Sequence, residues 1–269
     1  MNRYKRRFNQ LKKKKDKALV PFVTIGDPDY KTSLEIVKTI IDNGADVLEL
    51  GFVFSEPIAD GPTIQTAGVR ALKKGANTDR NFNFIQEIRK YDCEIPIGIL
   101  VYSNMIYQRG IKRFYQDCAK SGIDSVLVAD LPIEEAEEYI KAARNNKVDA
   151  VFIVSPLTDK KRLKKVIKKT RGFVYIVSRL GVTGARKDIQ ESTLKLIRRV
   201  KKHTKLPSCV GFGISRPEHV KSVLGAGADG AIVGSAVVKI IEKNLKRKKV
   251  MLDKVGNFIK RLKNATKDN

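Results

Sequence analysis

Three carboxylates whose spacing suits acid–base chemistry lie in one stretch, LELGFVFSEPIADGPTIQ, at residues 48–65. Glu49 falls within an apolar run typical of a strand, whereas Glu56 and Asp60 follow in a segment punctuated by Gly and Pro. Two carboxylates in different surroundings can divide the roles of acid and base, because an apolar environment raises the pKa of a carboxyl group. Glu49 and Asp60 are therefore candidates for moving a proton on a bound substrate.

The position of Glu49 within a strand has two interpretations. Side chains alternate between the two faces of a strand, so Glu49 shares a face with Val47 and Gly51. If both faces are covered, Glu49 is an interior carboxylate, and an unpaired charge in that position is energetically costly. We expect such a group either to form an interior ion pair, for instance with Arg179, or to be retained for proton transfer.

Asp60 also has a competing structural role. It directly precedes Gly61 and Pro62, where a helix is predicted to begin. An aspartate at such a point often accepts hydrogen bonds from the free N–H groups of the first helical turn. Position alone therefore leaves helix capping and catalysis equally open for Asp60.

The elements that must position these residues alternate between strands and helices along the whole chain. Short apolar segments typical of strands occur near residues 19, 47, 97, 125, 150, 173, 208 and 230, and a helical pattern follows each of them. Strict alternation implies a parallel sheet, and eight units in 269 residues predict an α/β fold of the (β/α)8 TIM-barrel type. A doubly wound open sheet is the alternative, but no GxGxxG motif follows the first strand.

The barrel is predicted to form a single domain over residues 1–269 with an additional helix at each end. Within residues 1–17, apolar residues spaced four and three apart and separated by Lys and Arg predict an amphipathic N-terminal helix. Residues 245–269 are basic and show a second amphipathic pattern, which predicts a C-terminal helical segment.

Two glycine-rich segments indicate a phosphate site. Residues 211–215 end the seventh predicted strand and residues 233–236 end the eighth, and barrels often bind phosphate with the loops after these strands. Ser235 would offer a hydroxyl at a helix N-terminus, where free N–H groups favour an anion. The same glycines could instead serve only tight turns, and the segment 181–184, GVTG, could be a lid or an ordinary mobile loop.

The net charge of +25 is concentrated outside the predicted site. Residues 1–17 contain nine Lys or Arg and one acidic residue, and residues 243–269 contain ten and two. A further basic cluster covers residues 160–171 on a predicted outer helix. Such charge favours non-specific nucleic-acid binding, but it lacks the aromatic interleaving used for base stacking. We therefore predict solvated helix faces and no specific nucleic-acid partner.

Several other classes of protein are not supported by the residue types. The three cysteines, Cys93, Cys118 and Cys209, show no metal or redox spacing and suggest reduced thiols in a cytosol. With two histidines on predicted outer helices and no lysine at a strand end, neither a metal site nor Schiff-base chemistry is expected. No apolar run reaches about 18 residues, and the basic N-terminus lacks the apolar core of a secretory signal. These features favour a cytoplasmic protein without membrane segments.

Six segments, in order along the chain, carry a family resemblance. They are PFVTIGDP, LELGFVFSEPIADGPTIQ, SVLVADLP, SRLGVTG, GFGIS and GAIVGSAVVKIIE, and together they resemble the tryptophan synthase alpha subunit family from residue 1 to about residue 244. The resemblance implies a metal-free lyase that cleaves indole-3-glycerol phosphate to indole and D-glyceraldehyde 3-phosphate by a retro-aldol reaction in tryptophan biosynthesis. It also implies a separate beta subunit that carries pyridoxal phosphate, in an αββα heterotetramer with an internal tunnel for indole. The chain itself would hold no cofactor.

The same resemblance assigns roles to individual residues. Glu49 would shuttle a proton between the glycerol hydroxyl and indole C3, Asp60 would stabilise or deprotonate the indole N–H, and Thr183 would act in a closing loop. Two further sets of residues would form the pocket, with Phe22, Leu100, Leu127, Ile153, Tyr175 and Phe212 around indole and Gly184, Gly213, Gly234 and Ser235 around phosphate.

The chain departs from the family pattern in the middle of the catalytic stretch. The family usually reads GIPFSDP where this chain reads GFVFSEP, so Phe52, Val53 and Glu56 replace isoleucine, proline and aspartate. Loss of the proline removes a constraint on φ and returns a backbone N–H to the loop. Since this loop contacts the beta subunit in the family, we expect an effect on coupling to the partner rather than on the chemistry.

Two other hypotheses remain open at this point. The chain could be a different phosphate-binding barrel enzyme, such as a sugar-phosphate isomerase. It could also be non-enzymatic, retained to activate a beta partner or to bind RNA through its basic surface. The intact Glu49, Asp60 and phosphate loops argue against a non-enzymatic role.

Overall fold

The computed structural model describes residues 2–177, 191–211 and 213–267, which form a parallel β-barrel surrounded by helices. All observed strand pairs are parallel, and the strand order is β5-β4-β3-β2-β1-β9-β8-β7-β6. The strands are β1 Ala18–Thr24, β2 Leu48–Gly51, β3 Ile97–Val101, β4 Ser125–Val128, β5 Asp149–Val151, β6 Ile153–Val154, β7 Val174–Val177, β8 Ser208–Gly211 and β9 Gly230–Val233.

The eight predicted strand positions are confirmed, and the fifth is divided into β5 and β6 by the single residue Phe152. β5 pairs with β4, whereas β6 pairs with β7, so this one segment joins both ends of the sheet. Across the junction, the Arg171 N–H donates to the Ala150 carbonyl (2.9 Å) and the Tyr175 N–H donates to the Phe152 carbonyl (3.2 Å). The sheet is therefore a nearly closed barrel, and the open-sheet alternative is wrong.

Helices follow the strands as the periodicity predicts. They are α1 Arg3–Lys13, α2 Tyr30–Asp42, α3 Pro62–Lys73, α4 Thr78–Tyr91, α5 Ser103–Arg109, α6 Ile111–Ser121, α7 Glu137–Asn145, α8 Lys160–Lys169, α9 Glu191–Lys201, α10 Pro217–Gly225, α11 Ser235–Glu242 and α12 Lys248–Asn264. The two turns of α5 are too short to show a clear helical period in the sequence. None of the helices in the described ranges is long and apolar enough to cross a membrane.

The core has two layers, which follow from the alternation of side chains along the strands. Leu48 and Leu50 of β2 point outward and pack in the cluster between the strands and the surrounding helices. Val47 lies in a second cluster that fills the interior of the barrel. Glu49 shares the inward face and is 5% exposed, so the prediction of an interior carboxylate is confirmed.

The terminal helices pack on the barrel rather than extending from it. Tyr4 of α1 is buried, and its hydroxyl forms a 2.8 Å hydrogen bond with the hydroxyl of Ser125 at the start of β4. On α12, Phe258, Ile259 and Leu262 are buried, and this helix packs along α2. Both basic ends of the chain therefore form helices whose apolar faces contribute to the core.

Candidate active site

A cavity of about 140 Å³ opens at the C-terminal ends of the strands. Five strands contribute one inward side chain each, namely Phe22, Glu49, Leu100, Tyr175 and Ile232. The loops after β2, β8 and β9 complete the wall. Catalytic groups of a barrel come from this end, because the loops that follow the strands converge there.

Glu49 lies at the inner end of this cavity with no charged partner among the described residues. The Tyr175 hydroxyl donates a hydrogen bond to its carboxylate at 3.4 Å. Burial raises the pKa of Glu49 to about 8; the hydrogen bond from Tyr175 opposes this rise, and the charge of Asp60 adds to it. Glu49 therefore carries a proton at neutral pH and can donate it. Arg179, the ion-pair partner considered from the sequence, lies outside the described residues.

Asp60 lies in the loop between β2 and α3 and also lines the cavity. The residue that caps α3 is Gly61, with no side-chain hydrogen bond to the helix, so the capping interpretation of Asp60 finds no support. Burial raises the pKa of Asp60 to about 6, and a hydrogen bond from the Tyr102 hydroxyl opposes the rise. The same hydroxyl accepts a 3.1 Å hydrogen bond from the Ala59 N–H, which fixes the loop beside Asp60.

The opposite wall of the cavity has the features of an anion site. Gly213, at a φ of 86°, adopts a left-handed conformation that favours glycine. Gly234 is the cap of α11, and a Cβ placed on it would approach the Phe22 ring to 3.3 Å. Ser235 begins α11, and Lys239 lines the cavity one turn later. Backbone N–H groups at a helix start and a nearby ammonium group together favour a phosphate.

The remaining predicted site residues fall into two groups. Leu127 and Ile153 pack in the interior cluster together with Tyr175, below the described lining of the cavity. Thr183, Gly184 and Phe212 lie outside the described residues, so their roles stay predictions.

Sequence reasoning missed several lining residues because no local pattern marks them. Thr63 and Ile64 come from the first turn of α3, and Lys239 is an exposed side chain on α11. The signal that could have identified Lys239 is its distance of four residues from Ser235, which places both on the same side of a helix. Within the described ranges, no group of three or more His, Cys, Asp or Glu side chains is arranged to hold a metal ion.

The family model described as tryptophan synthase alpha chain matches residues 8–267. The chain belongs to this family. The match includes α12, so the tryptophan synthase alpha chain pattern extends beyond the segments that carry the resemblance in the sequence.

Individual members of the tryptophan synthase alpha chain family match over nearly the whole length. The chain is 49% identical to the alpha chain of Methanothermobacter thermautotrophicus over 248 residues, covering 92% of each chain, and 46% identical to that of Vibrio parahaemolyticus over 266 residues, covering 99% of each. A solved tryptophan synthase complex from Pyrococcus furiosus contains a chain of the same fold, with a TM-score of 0.84 and 38% identity, covering 92% of this chain and 98% of that one.

Proposed function

We propose that this chain cleaves indole-3-glycerol phosphate to indole and D-glyceraldehyde 3-phosphate, a lyase step of tryptophan biosynthesis. The observation that carries the proposal is the pairing of two carboxyl groups, Glu49 and Asp60, in one cavity whose opposite wall suits a phosphate. Their pKa values, about 8 and about 6, differ enough at neutral pH for one group to be an acid and the other a base. Family membership supports the same activity.

Glu49 performs both proton transfers in this scheme. Its carboxyl proton moves to indole C3, which converts the ring to its iminium form. The bond between C3 and the adjacent hydroxyl-bearing carbon then breaks, and its electron pair returns to the ring as the iminium is neutralised. The hydroxyl proton passes to Glu49 while the hydroxyl becomes the aldehyde, so the enzyme ends in its starting protonation state.

Asp60 complements the proton transfers of Glu49 by acting on the indole nitrogen. Ionised at neutral pH, it accepts a hydrogen bond from the N–H and stabilises the positive charge that develops when C3 is protonated. The Asp60 carboxylate and the indole N–H are both buried in the cavity, so their interaction is stronger than it would be in water. Tyr102 holds the loop that carries Asp60 through the Ala59 N–H.

The other side chains orient the substrate between these carboxyls and the phosphate wall. Phe22, Leu100 and Tyr175 provide apolar surface for indole, with Leu127, Ile153 and Phe212 as further proposed members of that pocket. Gly213, Gly234 and Ser235 hold the phosphate together with Gly184, and Thr183 acts in the closing loop. An anchored phosphate fixes the reacting carbon relative to Glu49.

The proposed partner is a tryptophan synthase beta subunit, with which the chain forms an αββα heterotetramer. The solved structures include a tryptophan synthase α2β2 complex from Pyrococcus furiosus. A chain of that complex shares the fold described here, with 40% identity and a TM-score of 0.85. Pyridoxal phosphate belongs to the beta subunit, and this chain acts without a cofactor. We also propose that the assembly works in the cytoplasm.

The test is indole release from indole-3-glycerol phosphate by the purified chain, with and without a beta subunit. We expect Glu49→Gln and Asp60→Asn each to reduce kcat by at least about 100-fold, because each removes a proton-transfer or charge-stabilising group. Glu87→Gln on α4, an exposed carboxylate, is the matched control and should retain full activity. Unchanged turnover in Glu49→Gln, or activity only on a sugar phosphate, would contradict the proposal.

A further inference from the structure

A second cavity, which we call the basal cavity, lies at the N-terminal end of the barrel and has a volume of about 790 Å³. It lies between α1 and the segments that precede or begin β1, β5, β7, β8 and β9. Its described lining shares no residue with the active-site cavity at the other end. Its volume falls within the range of about 300–1,000 Å³ that is typical of small-molecule sites.

The lining of the basal cavity carries an excess of positive charge. Seven Lys or Arg residues and three Asp residues contribute to it. Of the seven, only Lys201 forms an ion pair within the described residues, with Asp229 at 2.7 Å. The other six cations have no carboxylate within ion-pair distance in that part of the chain: Lys5, Lys12, Lys15, Lys17, Arg171 and Lys205.

Some neighbouring basic residues at the same end of the barrel form ion pairs instead of lining this cavity. Arg3 contacts Asp124 at 3.0 Å, and Lys263 contacts Asp46 at 2.8 Å. Six unpaired cations around one concavity repel each other, and the concave shape focuses their field into the cavity. Such an arrangement favours an anion with several charges over a single carboxylate or a chloride.

The wall of the basal cavity is apolar between these cations. Phe8 is half-buried there and stacks on the Tyr4 ring with centroids 6.5 Å apart, and Leu11 and Leu206 also contribute. A partly exposed aromatic ring beside basic side chains suits a planar base that carries phosphates. An inorganic anion would leave this apolar surface unused.

The turn that ends α1 positions several of these lysines at the basal cavity. After α1, Lys15 adopts a φ of 58°, in the left-handed region that residues other than glycine rarely occupy. This turn brings Lys12, Lys15 and Lys17 to the same cavity. The Lys15 N–H donates to the Lys12 carbonyl at 3.1 Å and the Asp16 N–H donates to the Leu11 carbonyl at 2.9 Å, which is a common way for a helix to end.

We propose that the basal cavity binds a nucleoside polyphosphate. The phosphates lie among the six unpaired cations, and the base lies against Phe8 and Leu206. This binding is independent of indole release, because the two cavities lie at opposite ends of the barrel.

The test is equilibrium binding of ATP, tripolyphosphate and adenosine to the full chain by isothermal titration calorimetry at two salt concentrations. We expect one saturable ATP site that weakens as salt rises, with tripolyphosphate at least about threefold weaker and adenosine weaker still. The double variant Lys12→Gln and Lys205→Gln should bind ATP at least about fivefold more weakly, since two exposed charge contacts are lost. Lys164→Gln with Lys249→Gln changes the charge equally on outer helices and should bind ATP like the wild type.

Several results would overturn the proposal. These are no saturable ATP binding up to about 1 mM, an equal loss in both double variants, or tripolyphosphate binding as tightly as ATP. Displacement of ATP by glycerol 3-phosphate would place the nucleotide in the active-site cavity instead. A single-stranded RNA oligonucleotide that binds more tightly than ATP and depends on Lys12 and Lys205 would assign the surface to nucleic acid.

Discussion

Glu49 and Asp60 differ in proton affinity because they differ in what surrounds them. Glu49 is 5% exposed on the inner face of a strand, and its described polar contact is the Tyr175 hydroxyl. Asp60 lies in a loop at the mouth of the cavity and is half-buried. Loss of hydration therefore raises the pKa of Glu49 further, to about 8 against about 6 for Asp60.

These two pKa values predict a bell-shaped pH dependence for kcat/KM. Activity requires Glu49 protonated, which holds below about pH 8, and Asp60 ionised, which holds above about pH 6. The profile should peak near neutral pH and fall about tenfold per pH unit beyond each limit. Initial rates of indole release between pH 5 and 9 test this.

The variant Asp60→Asn shows which side of the pH profile, acidic or alkaline, reflects the titration of which carboxyl group. Its residual activity should lose the acidic limb and keep the alkaline one, because only Glu49 still titrates. An acidic limb that persists in Asp60→Asn would assign it to another group.

At the scale of elements, the buried residues at the start of the loop from β2 to α3 hold this loop in place. Phe52 packs edge-on against Phe82 and Phe114, with ring centroids 5.6 and 6.4 Å away, and the Phe52 N–H donates to the Leu100 carbonyl at 3.0 Å. Val53 is buried in a small cluster under α3. Two of the three departures from the family pattern are thus internal packing changes, and Glu56 is the exposed one.

A network of ion pairs centred on Arg70 connects the helices on both sides of the active site. Arg70 of α3 forms two hydrogen bonds with Asp27, at 2.7 and 3.0 Å, and one with Glu242 of α11 at 3.2 Å. Asp60 precedes α3 and Ser235 begins α11, so this contact links the element beside the acid–base pair to the element at the phosphate wall.

The C-terminal helix α12 is predicted to be essential for stability rather than for chemistry. It approaches α2 closely at Gly256, where a Cβ would lie 2.8 Å from the Asn43 amide nitrogen, and Ile259 is completely buried. Ile259→Ala should lower the free energy of unfolding by about 3 kcal/mol, because it removes buried methyl groups and leaves a cavity. Equilibrium urea denaturation measures this change.

The neighbouring exposed residue supplies the control for this prediction. Lys260→Ala on the solvent side of α12 should change the free energy of unfolding by less than about 0.5 kcal/mol. Equal effects of the two substitutions would show that α12 does not contribute to the core as described.

For the whole molecule, the two ends of the barrel carry different charged groups. The C-terminal end places two carboxyls beside an anion site, whereas the N-terminal end surrounds the basal cavity with unpaired cations. The sequence predicted that the net charge of +25 is concentrated on solvated faces of the terminal helices and of one outer helix, whereas part of it lines one concavity.

Coupling to the beta subunit is a property of the assembly, and we predict that it depends on Glu56. This side chain is exposed in the β2–α3 loop close to Ile58, which is 76% exposed. Glu56→Asp restores the residue usual in the family and should change the stimulation of indole release by a beta subunit at least about threefold, through an altered interface contact. Activity of the isolated chain should stay within about twofold, since Glu56 does not line the cavity.

Steady-state assays of the chain alone and with a saturating beta subunit separate these effects. Glu138→Asp on α7, which is also an exposed glutamate with no ion pair among the described residues, is the matched control and should leave the stimulation unchanged. A change in the isolated activity of Glu56→Asp would instead place Glu56 in the catalytic machinery.

The sequence by itself determined the order of strands and helices and the inward direction of Glu49. Both follow from local periodicity, because a side chain alternates along a strand and repeats every 3.6 residues along a helix. The family resemblance also rests on local motifs, and it identified Glu49 and Asp60 before any contact was known.

Only the tertiary structure decided what surrounds those residues. Glu49 is paired with Tyr175, which lies 126 residues further along the chain, and Asp60 faces Tyr102 rather than capping α3. The break at Phe152 and the basal cavity likewise depend on how distant segments meet. Hydration, pKa and cavity shape are set by all neighbours in space, and one-dimensional periodicity does not specify them.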